Sequence, residues 1–232
     1  MFWNIFGRSN RQLAQDIADA YPKASGFADK IVQVANNIGT HPYWLANLIN
    51  FESAGTFSPS ITNSLGYTGL IQFGTSASRD LGTTTDYLRS LSAVDQMDWV
   101  QKYFELPHKR RGSDYSNPID LYMAVFYPLG VGNPDYQFPN NVVLANNGID
   151  TPREYALRAN RNAKLPTGMD ATVPYNPNAK PKTAITQKPK TSLSLVPNWV
   201  WYVSVPILLT SGFLYIKKVK AITSKRRRTR KR

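Results

Sequence analysis

Apolar residues recur at the spacing of one helix face through most of the first 165 residues. Proline is well suited to a first helical position at Pro42 and Pro118, and Thr151 with Glu154 forms a capping box for a last helix. No run alternates between apolar and polar residues as a half-buried strand would. The pattern predicts a mainly α-helical domain over residues 1–165, with helices over residues 12–20, 28–38, 42–51, 86–106, 118–126 and 152–162.

The pattern changes at residue 166. Prolines interspersed with Lys, Thr, Asn and Ser occupy residues 166–197, and few apolar residues remain there to bury. This composition is typical of an extended, semi-rigid linker.

An uncharged apolar run follows the linker. Residues 199–216 carry no charge, and eighteen helical residues would extend about 27 Å, close to the thickness of a bilayer core. Trp199, Trp201 and Tyr202 lie at one end and Tyr215 lies near the other, as interfacial aromatic residues do. We therefore expect a single transmembrane helix over residues 198–216, in contact with the lipid bilayer; the alternative is a buried core helix.

Charge is concentrated at the end of the chain. The formal net charge is +13, but residues 217–232 contain ten Lys or Arg and no acid, which leaves eighteen bases against fifteen acids elsewhere. The charge balance therefore does not indicate that the main domain binds nucleic acid. The polybasic tail is expected either to contact a polyanion, namely anionic lipid or packaged DNA, or only to orient the span.

Composition excludes several kinds of chemistry. The chain has no cysteine, which rules out disulfides, a cysteine nucleophile and cysteine zinc sites. Its two histidines, His41 and His108, make a histidine-based metal site improbable, so we expect neither a metal nor a cofactor.

Glu52 is the main candidate for chemistry. It ends an apolar helical stripe, where partial desolvation would raise its pKa towards the range that a general acid needs. The loop that follows contains Gly66 and Gly69, which permit close approach of the backbone to a ligand or to a packed helix. Gln72 offers an amide that can donate and accept hydrogen bonds, although it could equally be an ordinary surface amide.

The combination of these residues resembles a known family. E-S-x-x-x-F-x-P at residues 52–59, G-x-x-G-L-I-Q at 66–72 and Ser76-Ala77 resemble the E-S-x-x-x-F-x-P, G-x-x-G-L-M-Q and T-A motifs of the soluble lytic transglycosylases, which are related to goose-type lysozyme. The resemblance covers roughly residues 25–165. It implies a compact, lysozyme-like helical fold with a cleft for the glycan strands of peptidoglycan.

The resemblance also implies roles for individual residues. Glu52 would be the catalytic acid and base, and Ser53 a nearby polar helper or simply a helix cap. Gly69 and Gln72 would lie at the glycan. Tyr155 resembles a late tyrosine of the family near the catalytic glutamate, with a core aromatic as the alternative.

The sequence departs from the family at one motif. The A-Y-N-A-G segment that often lines the family's cleft corresponds here to residues 121–132, where Val125 and Phe126 replace the Tyr-Asn pair. Tyr122 or Tyr127 could take over the lining role, and each could instead be a core or wall residue.

A lone carboxylate fits the reaction of this family. Ordinary glycosidases need two carboxylates, but the acids that follow Glu52 stand in no recognisable catalytic setting. The family cleaves the β-1,4 bond between MurNAc and GlcNAc and forms 1,6-anhydro-MurNAc, with the substrate as its own nucleophile. The alternatives are a hydrolytic goose-type lysozyme and an inactive glycan-binding or membrane structural protein of a virion.

The linker, the expected transmembrane helix and the basic tail suggest where the protein is located. We expect a single-pass membrane enzyme of a bacteriophage with an internal membrane, used in host entry. The alternative is a bacterial inner-membrane enzyme with its catalytic domain outside, as the basic tail would require.

Overall fold

The computed structural model describes residues 8–169, and this part of the chain is mainly helical, as the sequence predicts. The α-helices are α1 Asn10–Ala20, α2 Ala28–Ile38, α3 Pro42–Glu52, α4 Thr75–Asp80, α5 Thr85–Ser90, α6 Ala93–Glu105, α7 Pro107–Arg110, α8 Pro118–Phe126, α9 Asn140–Ala145 and α10 Pro152–Ala159. Two 3₁₀ helices span Pro22–Phe27 and Pro128–Gly130.

Helix α3 lies at the centre of the domain. It packs against α1, α2 and α8, and most of its side chains are buried. The helix begins at Pro42, where the His41 side chain accepts a hydrogen bond from the Tyr43 amide at 3.2 Å. Because α3 is surrounded by other helices, a polar residue at its end is held inside the protein.

Helix α8 is the second buried helix. Every residue from Pro118 to Phe126 is buried, and α10 packs against it. The Asn117 side chain caps its first turn, accepting from the Ile119 amide at 2.8 Å. The segment that corresponds to the A-Y-N-A-G motif, residues 121–132, therefore begins in the core and not at the surface.

The helix predicted over residues 86–106 is wrong as a single element. It is two helices, α5 and α6, because Leu91 takes an extended conformation and Ser92 caps α6. The Ser92 side chain accepts from the Asp95 amide at 3.1 Å, a cap that the regular apolar spacing concealed. Val94, which the pattern placed on the apolar stripe, is 43% exposed.

The packed domain extends four residues beyond its predicted boundary. Residues 166–169 were assigned to the linker, yet Gly168 lies in contact with the Trp44 ring and Met169 packs against the core. Just before them, the Asn47 side chain donates to the Leu165 carbonyl at 3.1 Å. The domain is thus closed by its own C-terminal residues.

The remaining predicted segments lie outside the described residues. These are residues 1–7, most of the linker, the expected span 198–216 and the basic tail. Between residues 8 and 169, no helix is both long and apolar enough to cross a membrane.

Candidate active site

Glu52 is the last residue of α3 and is buried, with 7% of its surface exposed. Burial disfavours the charged carboxylate and raises the pKa of Glu52 from 4.5 to about 8. Desolvation by burial is the cause of this shift. The sequence-based expectation of a desolvated carboxyl is confirmed, and the group is protonated at neutral pH.

Ser53 follows directly and ends α3. Its hydroxyl accepts a hydrogen bond from the Phe57 amide at 3.0 Å, and its carbonyl accepts one from the Thr56 hydroxyl at 2.7 Å. The side chain is completely buried. The geometry thus shows Ser53 as the cap that turns the chain out of the helix.

The loop of residues 54–74 folds back on itself without forming a sheet. Isolated antiparallel bridges join Thr68 to Thr62 and to Phe73, and the hydroxyls of Thr62 and Thr68 are 2.9 Å apart. The Gly69 amide donates to the Ile61 carbonyl at 2.8 Å. These contacts return the second half of the loop to the first.

Gly69 fastens this loop to α6. Its φ is +82°, and a Cβ there would lie 2.4 Å from Oε1 of Gln96. The buried Gln96 accepts from the Leu70 amide at 2.7 Å and donates to the carbonyls of Pro59 at 2.9 Å and Leu88 at 2.7 Å. The structure shows the close approach to a packed helix that the sequence allowed for Gly69.

Gln72 is buried rather than a surface amide. Its backbone has a φ of +54°, in the left-handed region, and its Nε2 donates to the Gly69 carbonyl at 3.2 Å. Non-glycine residues seldom adopt this conformation, and they are concentrated at functional sites. The loop contacts therefore hold Gln72 in a fixed orientation.

Three buried tyrosines lie near enough to Glu52 for its charge to act on them. Burial raises the pKa of Tyr103, Tyr122 and Tyr155, and a charge on Glu52 raises each further. The Tyr122 hydroxyl is 3.0 Å from Oδ1 of Asn160, and the Tyr103 hydroxyl is 3.0 Å from the Ala124 carbonyl. Two of the three hydroxyls are therefore used within the core.

The Tyr155 hydroxyl differs from the other two. It is buried and has no hydrogen-bond partner among the described residues. The ring is fixed, stacked on Phe126 at a centroid distance of 3.8 Å and edge-on to Phe51 at 6.1 Å. Buried hydroxyls are normally paired, so the Tyr155 hydroxyl is an exception within the described core.

Tyr127 is not brought to Glu52 in the same way. It ends α8 and packs against Tyr136 and Phe138, with ring centroids 5.8 and 5.2 Å away. Burial raises the pKa of Tyr127 to about 12, and the neighbouring group that adds to this shift is Tyr136. Of the two tyrosines that could replace the family's pair, Tyr122 is the one near Glu52.

Tyr103 is the neighbour of Glu52 that the sequence did not indicate. It lies on α6, far from Glu52 along the chain, and the sequence pattern alone would make it one more apolar position of an amphipathic helix. Its pKa is also raised by Tyr115, Asp80 and Tyr67, so these groups act on Tyr103 as well. No local motif marks this position, because the proximity arises only from packing.

A cavity of about 860 Å³ opens beside the end of α3. Phe51 and Ala54, on either side of Glu52, line it, as does Tyr155, but Glu52 does not. The candidate site thus consists of Glu52 with its surroundings and of the cavity beside it, and Tyr155 belongs to both. Within residues 8–169, no group of three or more His, Asp or Glu could hold a metal ion.

No protein-family model matches the chain, and neither the curated proteins nor the solved structures contain a significant match.

Proposed function

We propose that the chain is a lytic transglycosylase of peptidoglycan, with Glu52 as its acid and base. The observation that carries the proposal is the buried position of Glu52 at the end of α3, where its pKa is raised to about 8. A carboxyl of this kind holds a proton at neutral pH and can deliver it to a leaving group. The motifs around residues 52–77 supply the substrate class.

The reaction proceeds in two proton transfers. The Glu52 carboxyl donates its proton to the oxygen that joins C1 of MurNAc to GlcNAc, and the C1–O bond breaks. The MurNAc acetamido group stabilises the cationic C1. The Glu52 carboxylate then takes the proton of the C6 hydroxyl while O6 bonds to C1, which yields 1,6-anhydro-MurNAc and a free GlcNAc hydroxyl and consumes no water.

The sequence favours this route over a two-carboxylate mechanism. A two-carboxylate mechanism needs a second acid about 5–10 Å away, and the acids that follow Glu52 stand in no recognisable catalytic setting. The structural support is the burial that raises the pKa of Glu52. The Tyr155 hydroxyl, which has no hydrogen-bond partner among residues 8–169, is the group that we propose bonds to the sugar.

The architecture and location belong to the same proposal. We assign the helical domain to a lysozyme-like arrangement in which the 54–74 loop forms one wall of the glycan cleft. Residues 198–216 tether the enzyme to a membrane, and the function is passage through the host cell wall by a bacteriophage. The rival location is the bacterial inner membrane.

Mass spectrometry of digested peptidoglycan tests the reaction. Wild-type products should end in anhydro-MurNAc, about 18 Da lighter than hydrolytic products because no water is added. Glu52→Gln should slow release by about 10²-fold or more. Glu105→Gln, which changes an exposed acid on α6, is the matched control. Reducing MurNAc ends alone would identify a lysozyme, and an active Glu52→Gln variant would refute the site.

A further inference from the structure

The cavity beside α3 is strongly basic. Four of its lining residues are cationic, and the lining includes no Asp or Glu. These cations are Lys23, which precedes α2, and Arg158, Arg161 and Lys164 from α10 and the segment after it. Like charges gathered around one concave surface repel each other and attract anions.

No carboxylate of the described chain neutralises this charge. None of the four cations forms an ion pair with another residue in the 8–169 range. Arg153, on the same helix but outside the cavity, is paired with Asp135 at 3.2 Å. On α10, the charge of Arg153 is therefore neutralised by an ion pair. The four cations that line the cavity have no carboxylate partner among the described residues and can bind an anionic ligand.

The rest of the lining suits a peptide. Asn50, Asn147 and Asn162 supply amides that can donate to and accept from peptide groups, while Tyr21 and Phe57 form an aromatic wall with ring centroids 5.2 Å apart. A volume of about 860 Å³ is within the usual range for a ligand pocket. The surface thus combines cations, amides and apolar area.

We propose that this cavity binds the carboxylate-bearing stem peptide of peptidoglycan, an inference that rests on the proposed transglycosylase function. The stem peptide hangs from the lactyl group of MurNAc, the sugar whose C1 would react at Glu52. Phe51 and Ala54 flank Glu52 and line the cavity, and Tyr155 belongs to both places. The cavity thus lies where a substituent of the reacting sugar would reach.

The charge of the chain's own linker does not complement that of the cavity. Residues 170–197 contain four lysines and a single acid, Asp170. A basic segment would be repelled by four cations, whereas a stem peptide brings several carboxylates. Charge complementarity therefore favours the substrate as the occupant.

The kinetic test compares two substrates with the full-length enzyme in detergent. The double variant Lys23→Gln with Arg161→Gln changes two exposed cations of the cavity. We expect its KM on native peptidoglycan to rise about tenfold, since hydrogen bonds to charged groups are lost. On glycan strands stripped of peptide by an amidase, the rise should be several times smaller. Arg153→Gln, the cation outside the cavity, should leave both KM values unchanged.

A binding test is independent of turnover. Calorimetry with the free tetrapeptide L-Ala-γ-D-Glu-meso-diaminopimelate-D-Ala and the Glu52→Gln enzyme should detect a complex that the double variant weakens. An equal KM rise on both substrates would show that the cavity holds sugar, and unchanged KM values would show that it holds no part of the substrate. Either result, or no binding at about 5 mM tetrapeptide, overturns the proposal. Peptide binding without anhydro products would instead refute the proposed reaction.

Discussion

At the scale of the residue, the raised pKa of Glu52 links stability to pH. The unfolded carboxyl titrates near 4.5 and the folded one near 8, so the folded state binds the extra proton between these values. The contribution of Glu52 to the free energy of unfolding is therefore fully present below about pH 4.5 and is lost as pH rises to about 8. The carboxyl that is suited to chemistry opposes folding at neutral pH.

Replacing this carboxyl should stabilise the domain. Glu52→Gln keeps the shape and never ionises, so its free energy of unfolding at pH 7 should exceed that of the wild type by up to about 3 kcal/mol. The difference should vanish below about pH 4.5. Urea denaturation at several pH values measures it. A variant less stable than the wild type at pH 7 would mean that the carboxylate has a partner.

Activity should follow the same titration with the same sign. Because the first step of the proposed reaction needs the protonated Glu52, kcat/KM should fall as pH rises through about 8, the pKa of this carboxyl. Initial rates of peptidoglycan solubilisation between pH 5 and pH 10 measure this profile. A fall in activity only below pH 6 would show that the essential group acts first as a base.

Tyr155 and Tyr122 allow a matched comparison of two buried hydroxyls. Tyr155→Phe removes an unpaired hydroxyl, so stability should not fall while activity drops about tenfold. Tyr122→Phe removes a hydroxyl bonded to Asn160 and should cost about 1 kcal/mol of stability. Thermal unfolding and solubilisation rates separate the two effects. Unchanged activity of the Tyr155 variant would place its hydroxyl outside the reaction.

At the scale of the element, the contact of Gly69 with Gln96 holds the 54–74 loop against α6. Gly69→Ala forces a Cβ against the Gln96 amide and strains a φ of +82°, so we expect a loss of about 2–4 kcal/mol. Gly66→Ala is the control, because its φ is +85° and nothing lies within 4 Å of a Cβ there. It should lose only about 1 kcal/mol. Equal losses in urea denaturation would show that strain alone is responsible.

The same elements show what the sequence could predict. Helices α2, α3 and α8 follow from apolar spacing and proline position, and the desolvated Glu52 follows from the end of α3. The break at Leu91 was missed because the apolar residues keep helical spacing across it. The Gly69–Gln96 contact and the place of Tyr103 depend on packing between distant segments, which local pattern does not encode.

At the scale of the whole molecule, the C-terminal residues of the domain form part of its packing. A chain ending at residue 169 keeps Gly168 against Trp44 and Met169 against the core, whereas one ending at residue 165 loses both. We expect the longer fragment to be more stable by about 1–2 kcal/mol and to degrade peptidoglycan without detergent. Thermal unfolding of both fragments measures this. Equal stability would restore the boundary at residue 165.

The hydrogen bonds at Lys164 and Leu165 determine where a pulling force would act on the domain. The Tyr21 hydroxyl donates to Oδ1 of Asn47 at 2.7 Å and accepts from the Lys164 amide at 2.9 Å, while Asn47 also donates to Leu165. A force pulling on the chain beyond Met169 would therefore act on Tyr21 and, through Trp44 and Asn47, on α3. In the proposed tethered enzyme, tension in the linker would therefore act on the helix that ends at Glu52.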